Sequence, residues 1–241
     1  MTLIEPKIVE IPAGTVVLGA PDFPEGCVLP HKWTRQEVHV GRFGIATCAV
    51  TVAEMLAFAS STGYAIANEL RADQRFSDPK APAAYISWID ATHYVNSLAR
   101  QTGKPYRLVR DAEYEKAARG GLVGKRFPWG DEPPAGRADY NNPAGSPRPV
   151  GSFEPNGFGL YDMVGSMWSW CEECFDQVVK NDQSKMIYDD TRLRDVRHNP
   201  ICRGGSFKTA DISALHCAYR HEDPLEGRFD CIGFRVALSL M

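Results

Sequence analysis

Pro155-Asn156-Gly157-Phe158-Gly159-Leu160-Tyr161-Asp162-Met163-Val164-Gly165 and, further on, Arg203-Gly204-Gly205-Ser206-Phe207 are the stretches whose reading decides the fold. Turn formers and glycines alternate in them with single large apolar residues, so this part of the chain must be held by side chains and turns rather than by long elements. The pair Gly204-Gly205 lets the backbone take positive φ or approach a neighbouring segment closely. The same character begins at Lys125 and runs through Pro128-Trp129-Gly130-Asp131, Pro133-Pro134 and Asn141-Asn142-Pro143. Trp129, Trp168 and Trp170 can each bury a large area where regular elements are scarce.

Toward the N-terminus the signals become regular. Lys7–Ile11 and Thr15–Gly19 read as two short strands around Pro12-Ala13-Gly14, and residues 37–45 alternate as a half-buried strand does. Thr51-Val52-Ala53-Glu54 has the form of a capping box and predicts a helix ending at Gly63; Ser87-Trp88-Ile89-Asp90 predicts a second, ending at Gly103. Residues 111–119 predict a third, with acids in its first turn, bases in its last, and Gly120-Gly121 as terminator. His93 is expected on the solvent face of the second helix or to satisfy a backbone group, rather than to bind a ligand. The charged stretch from Glu172 to Arg197 reads as a solvated excursion, and residues 231–238 return to strand character. Strands, then helices, then turns and strands, without βα alternation, indicate an α+β fold. Without a low-complexity linker, residues 1–241 read as one domain.

A formal net charge of -3 and a pI near 6.1 give no electrostatic reason to expect nucleic acid or an anionic membrane as partner. No run approaches the roughly 18 apolar residues of a membrane span, and the first residues do not read as a secretory signal; a cytoplasmic location is expected. Seven cysteines without an export signal read as thiols rather than disulfides. Cys171-Glu172-Glu173-Cys174 has redox or half-zinc spacing, but no second pair completes a cage.

Several segments in order resemble the formylglycine-generating-enzyme, or sulfatase-modifying-factor, family, whose fold is related to C-type lectins. They are Val50-Thr51, Ser87–Ala91, Tyr106–Leu108 with Glu113–Gly121, Phe127–Asp131, Pro149–Phe153, Pro155–Gly165, Arg203–Phe207 and Gly233–Arg235. The resemblance runs over nearly the whole chain and implies the fold more strongly than the reaction.

Three departures bear on chemistry. In the family's copper oxidases two cysteines follow the Gly-Gly-Ser-aromatic segment; through Gly204-Gly205 those positions fall on Thr209 and Ala214, neither of which offers the thiolate that Cu(I) requires. Copper bound by a cysteine pair is therefore not expected. Gly165–Trp170 resembles a family motif whose Asn and Glu bind calcium, with Ser166 and Ser169 in their places; a structural Ca²⁺ near Asp139 and Asn141 remains a possible cofactor. Leu108-Val109-Arg110-Asp111 lacks the family's threonine cap, which leaves Asp111 to cap the third helix. The family also contains iron-dependent sulfoxide synthases, but no helical histidine pair matching their iron site is visible here.

Residues 216–223 concentrate a thiol, two imidazoles, a guanidinium and two carboxylates, the best local constellation for acid–base work. The candidate catalytic residues are His216, Arg220, His221 and Ser206, with Thr209, Asp211 and Trp170 as candidates for contacting substrate. Each also has a structural reading, Arg220 as a fork holding loop carbonyls or an acid, Glu222 and Asp223 as solvated charges. Family relatives without the copper cysteines include a pyoverdine-maturation enzyme. The resemblance therefore implies an oxidative tailoring enzyme acting on a small molecule or peptide, or else a non-catalytic ligand-binding or regulatory module; a formylglycine-generating oxidase with a rearranged thiol pair ranks last.

Overall fold

A computed structural model describes residues 4–20, 35–174 and 199–240. Both expected capping boxes start helices. Thr51 caps α1 (Val52–Thr62), its amide donating to Glu54 Oε2 at 2.7 Å, and Ser87 caps α3 (Trp88–Thr102), its amide donating to Asp90 Oδ2 at 2.9 Å. Gly63 and Gly103 close these helices at φ +72° and +70°, a conformation glycine adopts without a Cβ penalty. His93 is exposed, its ring beside Tyr64. A short α2 (Glu69–Ala72), which no sequence pattern signalled, lies between them. In α4 (Asp111–Arg119) the expectation for Asp111 fails: Arg110 occupies the cap position, Glu113 Oε2 accepts its amide at 3.0 Å, and the Asp111 carboxylate turns inward.

The strands form three sheets. One has the order β1 (Ile8–Ile11), β4 (Phe43–Ala46), β10 (Val236–Ser239), β5 (Tyr106–Leu108), so the C-terminal strand lies between early ones. The strands flanking Pro12-Ala13 part company, because β2 (Gly14–Leu18) pairs with β3 (Gln36–Val40) in a separate two-stranded sheet. The third sheet runs β8 (Arg220–Glu222), β7 (Pro200–Arg203), β6 (Trp168–Cys174), β9 (Ile232–Phe234), with β6 and β9 parallel.

This third sheet separates two cores. Directly opposed residues share a face, so Trp170, Cys202, His221 and Phe234 point one way and Ser169, Arg203 and Arg220 the other. Trp168, Trp170, Cys202 and Phe234 join the cluster that also contains Met55 and Phe58 of α1 and Tyr94 and Leu98 of α3. Cys171 and Ile201 belong to a second cluster with Tyr114, Ala117 and Ala118 of α4. Burying each large apolar side chain stabilises the fold by about 1.5–3 kcal/mol relative to exposure.

Turns carry the rest, as the glycine-rich stretches indicated. Asn156 Nδ2 donates to the Ala117 carbonyl at 2.7 Å, while its Oδ1 accepts the Phe158 and Leu160 amides, which ties the Pro155–Gly165 stretch to the end of α4. Arg235 is 1% exposed and donates to the Ala46 and Tyr161 carbonyls at 2.8 and 2.6 Å. Most of the charged stretch from Glu172 to Arg197 lies outside the described residues. Its first two acids are not solvated: Glu172 and Glu173 sit on β6, Glu172 Oε2 accepting from Arg110 Nε at 2.8 Å and Glu173 Oε2 from the Asp111 amide at 2.8 Å. Among the described residues no helix is long and apolar enough to cross a membrane.

Candidate functional site

The Arg203–Phe207 turn is shaped by contacts only glycine allows. A Cβ on Gly204 (φ +98°) would lie 2.5 Å from the Tyr114 hydroxyl and 2.9 Å from the Met163 carbonyl. One on Gly205 (φ +76°) would lie 2.5 Å from Leu215 Cδ2. Beyond the turn, Ser206 is 1% exposed; its amide donates to Thr209 Oγ1 at 2.9 Å, and its hydroxyl lies 3.3 Å from the same oxygen. Backbone bonds from the Phe207 amide to Ser166 O and from the Asn141 amide to Thr209 O fix the segment on both sides.

Cys231 stands near this pair. Burial pushes its thiol up to about 11, the Asp230 charge adds to that, and the nearby Ser206 hydroxyl opposes it. The Cys231 carbonyl accepts the Trp168 amide at 3.0 Å, which places the thiol-bearing residue beside the first tryptophan of β6. On that indole lie the rings of His221, with centroids 5.1 Å apart, and Tyr219, at 5.9 Å. His221 Nε2 is 3.0 Å from Asp223 Oδ2, with 37% of the imidazole exposed. An imidazole held by a carboxylate and open to solvent is the geometry of an oriented base. The rim is ionic: Lys208 pairs with Asp230, Arg75 reaches Asp230 at 2.8 Å, and the Tyr85 hydroxyl donates to Asp73 at 2.8 Å. Tyr85 has φ +58°, a strained conformation for a bulky residue that neighbouring contacts must hold.

The structure thus brings Ser206, Thr209 and His221 to one region and sends the other candidates elsewhere. Trp170 is fully buried and its Nε1 donates to the Ile86 carbonyl at 2.8 Å, so a substrate-contacting role for it is corrected to a core role. Arg220 is likewise corrected from catalysis to an internal ion network on the opposite sheet face. There Arg203 Nε meets Asp111 Oδ1 at 2.6 Å, Arg220 Nη2 meets Asp111 Oδ2 at 2.9 Å, and Arg203 Nη2 meets Glu115 Oε2 at 3.0 Å. His216 packs edge-on against Phe127, away from that region; burial and then the Arg126 charge bring its imidazole down to about 4, which keeps it uncharged near neutral pH. Asp211 is exposed and caps the 3-10 turn Ile212–Leu215 by accepting the Ser213 amide at 2.9 Å.

Neither metal that the family suggests fits the donors present. Beside Gly205 stand the Thr209 hydroxyl and the Ala214 backbone carbonyl, while Cys217 and Cys202 are buried in different cores, the Cys217 thiol pushed up to about 12 by burial. Soft two-thiolate coordination is not available from those positions. At the calcium position each Asp139 oxygen accepts one hydrogen bond, from Asn142 Nδ2 and from the Arg148 amide, each at 2.8 Å. Asn141 contributes its amide to Thr209 from a left-handed backbone (φ +40°), and Ser166 is also left-handed. With serines in place of the family's Asn and Glu, the side chains offer one carboxylate and two hydroxyls, fewer charged oxygens than the family's site among the six to eight that calcium takes.

Sequence reasoning did not single out Cys231, Trp168, Tyr219 or the Arg75–Asp230 rim as site residues. They converge from separate segments, and no spacing could have joined them.

A family model for the sulfatase-modifying factor enzyme 1-like domain matches residues 2–240. The formylglycine-generating enzyme of Streptomyces coelicolor is 35% identical over 181 residues, covering 66% of this chain and 53% of that protein. The formylglycine-generating enzyme of Thermomonospora curvata is 34% identical over 179 residues, covering 61% and 57%. The chain therefore spans about half the length of the curated relatives it matches. Among solved structures, PvdO from Pseudomonas aeruginosa superposes with a TM-score of 0.81 at 28% identity, covering 98% of this chain and 95% of that one. By its family match and by an α+β architecture of few helices and short strands, the chain belongs to the sulfatase-modifying-factor, or formylglycine-generating-enzyme-like, family.

Proposed function

We propose that the chain is an oxidative tailoring enzyme acting on a small molecule or peptide, without the paired-thiolate copper centre of the family's sulfatase activators. The observation that carries this reading is the oriented His221–Asp223 pair on the Trp168 wall, next to Ser206, Thr209 and Cys231. Oxidation of a bound substrate by dioxygen removes two electrons and two protons and yields hydrogen peroxide. His221 is the base for one of those protons, the half-buried Tyr219 and Thr209 offer apolar and polar surface to the substrate, and the buried Trp168 and Ser206 hold them from behind. Nucleic acid and membrane are not proposed as partners.

The test is oxygen uptake by the purified protein with panels of peptides and small molecules, alongside mass analysis of each compound. The expected result is a compound that loses two hydrogens with matching oxygen consumption, and a loss of turnover of about 100-fold in His221→Gln, the range for a missing general base. A compound that binds at the site, quenching tryptophan fluorescence, with no oxygen consumed would overturn this reading. That outcome would favour a ligand-binding module instead, which Thr209 and Ala214 at the thiolate positions also support.

A further inference from the structure

A cavity of about 470 Å³ opens between the N-terminal segment, the junction of β4 with α1, and the Pro79-Lys80 turn; it shares no lining residue with the Trp168 region. Small side chains leave the space, since Ala46, Ala49 and Ala53 line it where larger residues would fill it. Its size lies within the about 300–1,000 Å³ of ordinary small-molecule pockets. The walls are tied to one another by backbone bonds: the Thr47 amide donates to Lys7 O at 2.9 Å, the Ala53 amide to Pro79 O at 3.0 Å, and the Val150 amide to Lys80 O at 2.9 Å. Each tie joins two lining segments, so the shape is already built.

The charges around the cavity are unequal. Lys7 and Lys80 are exposed residues of the lining, and among the described residues neither ammonium has a hydrogen-bond or ion-pair partner. Arg235 lies behind the wall, donating to the Ala46 carbonyl at 2.8 Å. The carboxylate in the lining, Glu54, is committed to the α1 cap, where Oε2 accepts both the Thr51 amide and the Thr51 hydroxyl at 2.7 Å. Three more acids lie nearby, each with donors of its own: Asp162 accepts the Gly151 amide at 2.7 Å, Asp78 accepts the Lys80 amide at 2.8 Å, and Glu5 takes the Tyr106 hydroxyl and pairs with Lys104. An apolar concavity with unpaired ammonium groups matches a ligand whose tail gains by leaving water and whose anionic head stays at the solvated mouth.

We infer that this cavity is a second ligand site, for a small amphipathic carboxylate whose alkyl or aryl tail lies against Ala46, Ala49 and Ala53 and whose head pairs with Lys7 and Lys80. The inference is independent of the proposed oxidation. Cys48, a partly buried thiol in the lining, supplies the readout.

The experiment measures maleimide labelling of Cys48 at pH 8.5 by peptide mass mapping, with octanoate, octanol or octylammonium as probes and Cys231 as the internal control. Octanoate at several times its dissociation constant is expected to slow Cys48 labelling about fivefold, as simple competition dictates, while octylammonium leaves it unchanged. Replacing both lysines (Lys7→Gln with Lys80→Gln) is expected to raise the octanoate concentration for half-protection about tenfold, in keeping with two partly solvated charge contacts. Both side chains are exposed, and circular dichroism of the variant verifies its fold. Protection by octylammonium equal to that by octanoate, equal protection of Cys231, no protection by octanoate, or an unchanged response in the lysine variant would each overturn the inference.

Discussion

Replacing Asp111 by asparagine removes the charge at the centre of the buried ion network. Asp111 is 2% exposed, and its two oxygens take four contacts from Arg203 and Arg220, between 2.6 and 3.1 Å. Burial works to raise its carboxyl, but the Arg203 and Arg220 charges outweigh that and hold it at about 2, below the ordinary 3.8. That difference corresponds to about 2 kcal/mol of stability from the charged form. Removing one partner from a buried pair costs about 3–5 kcal/mol, because the guanidiniums left behind remain desolvated. Glu115 still faces Arg203, so the lower end applies, and Asp111→Asn is expected to lose about 3 kcal/mol at pH 7. The sign with pH follows from the depressed value: the wild-type increment is complete above the ordinary carboxylate range and disappears as pH falls toward 2. Urea unfolding followed by tryptophan fluorescence at pH 7 and pH 3 measures both quantities, with the gap between variant and wild type narrowing at the lower pH. A loss under about 1 kcal/mol at pH 7, or a gap that does not change between the two pH values, would refute the assignment.

Glu173 behaves in the opposite sense. Burial and the Asp111 charge push its carboxyl up to about 8, so stability present at low pH is lost as pH rises toward and through that value. Glu173→Gln, in thermal or urea unfolding, should match wild type at pH 4 and exceed it by on the order of 2–4 kcal/mol at pH 9. Gly204→Ala drives a Cβ into the Tyr114 hydroxyl and the Met163 carbonyl at φ +98°, and should cost about 3 kcal/mol or prevent folding, read by its melting temperature. Restoring two thiols with Thr209→Cys and Ala214→Cys should create Cu(I) binding detectable by competition with bicinchoninate. A double variant no better than wild type would show that these positions do not correspond to the family's copper pair.

The helix starts at Thr51 and Ser87, and their stops at Gly63 and Gly103, were legible because caps depend on atoms within about four residues of each other. Asp111 misled for the same reason. Locally it is a good cap, but two arginines remote in sequence offer it more than a helix terminus does. Glu172 and Glu173 misled through composition, since the charged stretch they begin suggests solvent, whereas β6 carries them beside α4.

Sequence by itself determined the family, the α+β class and the loss of the thiolates at Thr209 and Ala214, all properties of residue identity and order. Tertiary structure alone decided which side chains meet. Strand alternation sends Arg220 into an ion network and its neighbour His221 onto Trp168, burial withdraws Trp170 and keeps His216 uncharged, and Cys231 arrives beside Ser206 from the turn that leads into β9. Pairings of that kind come from sheet register and core packing between distant segments, which a linear pattern does not encode.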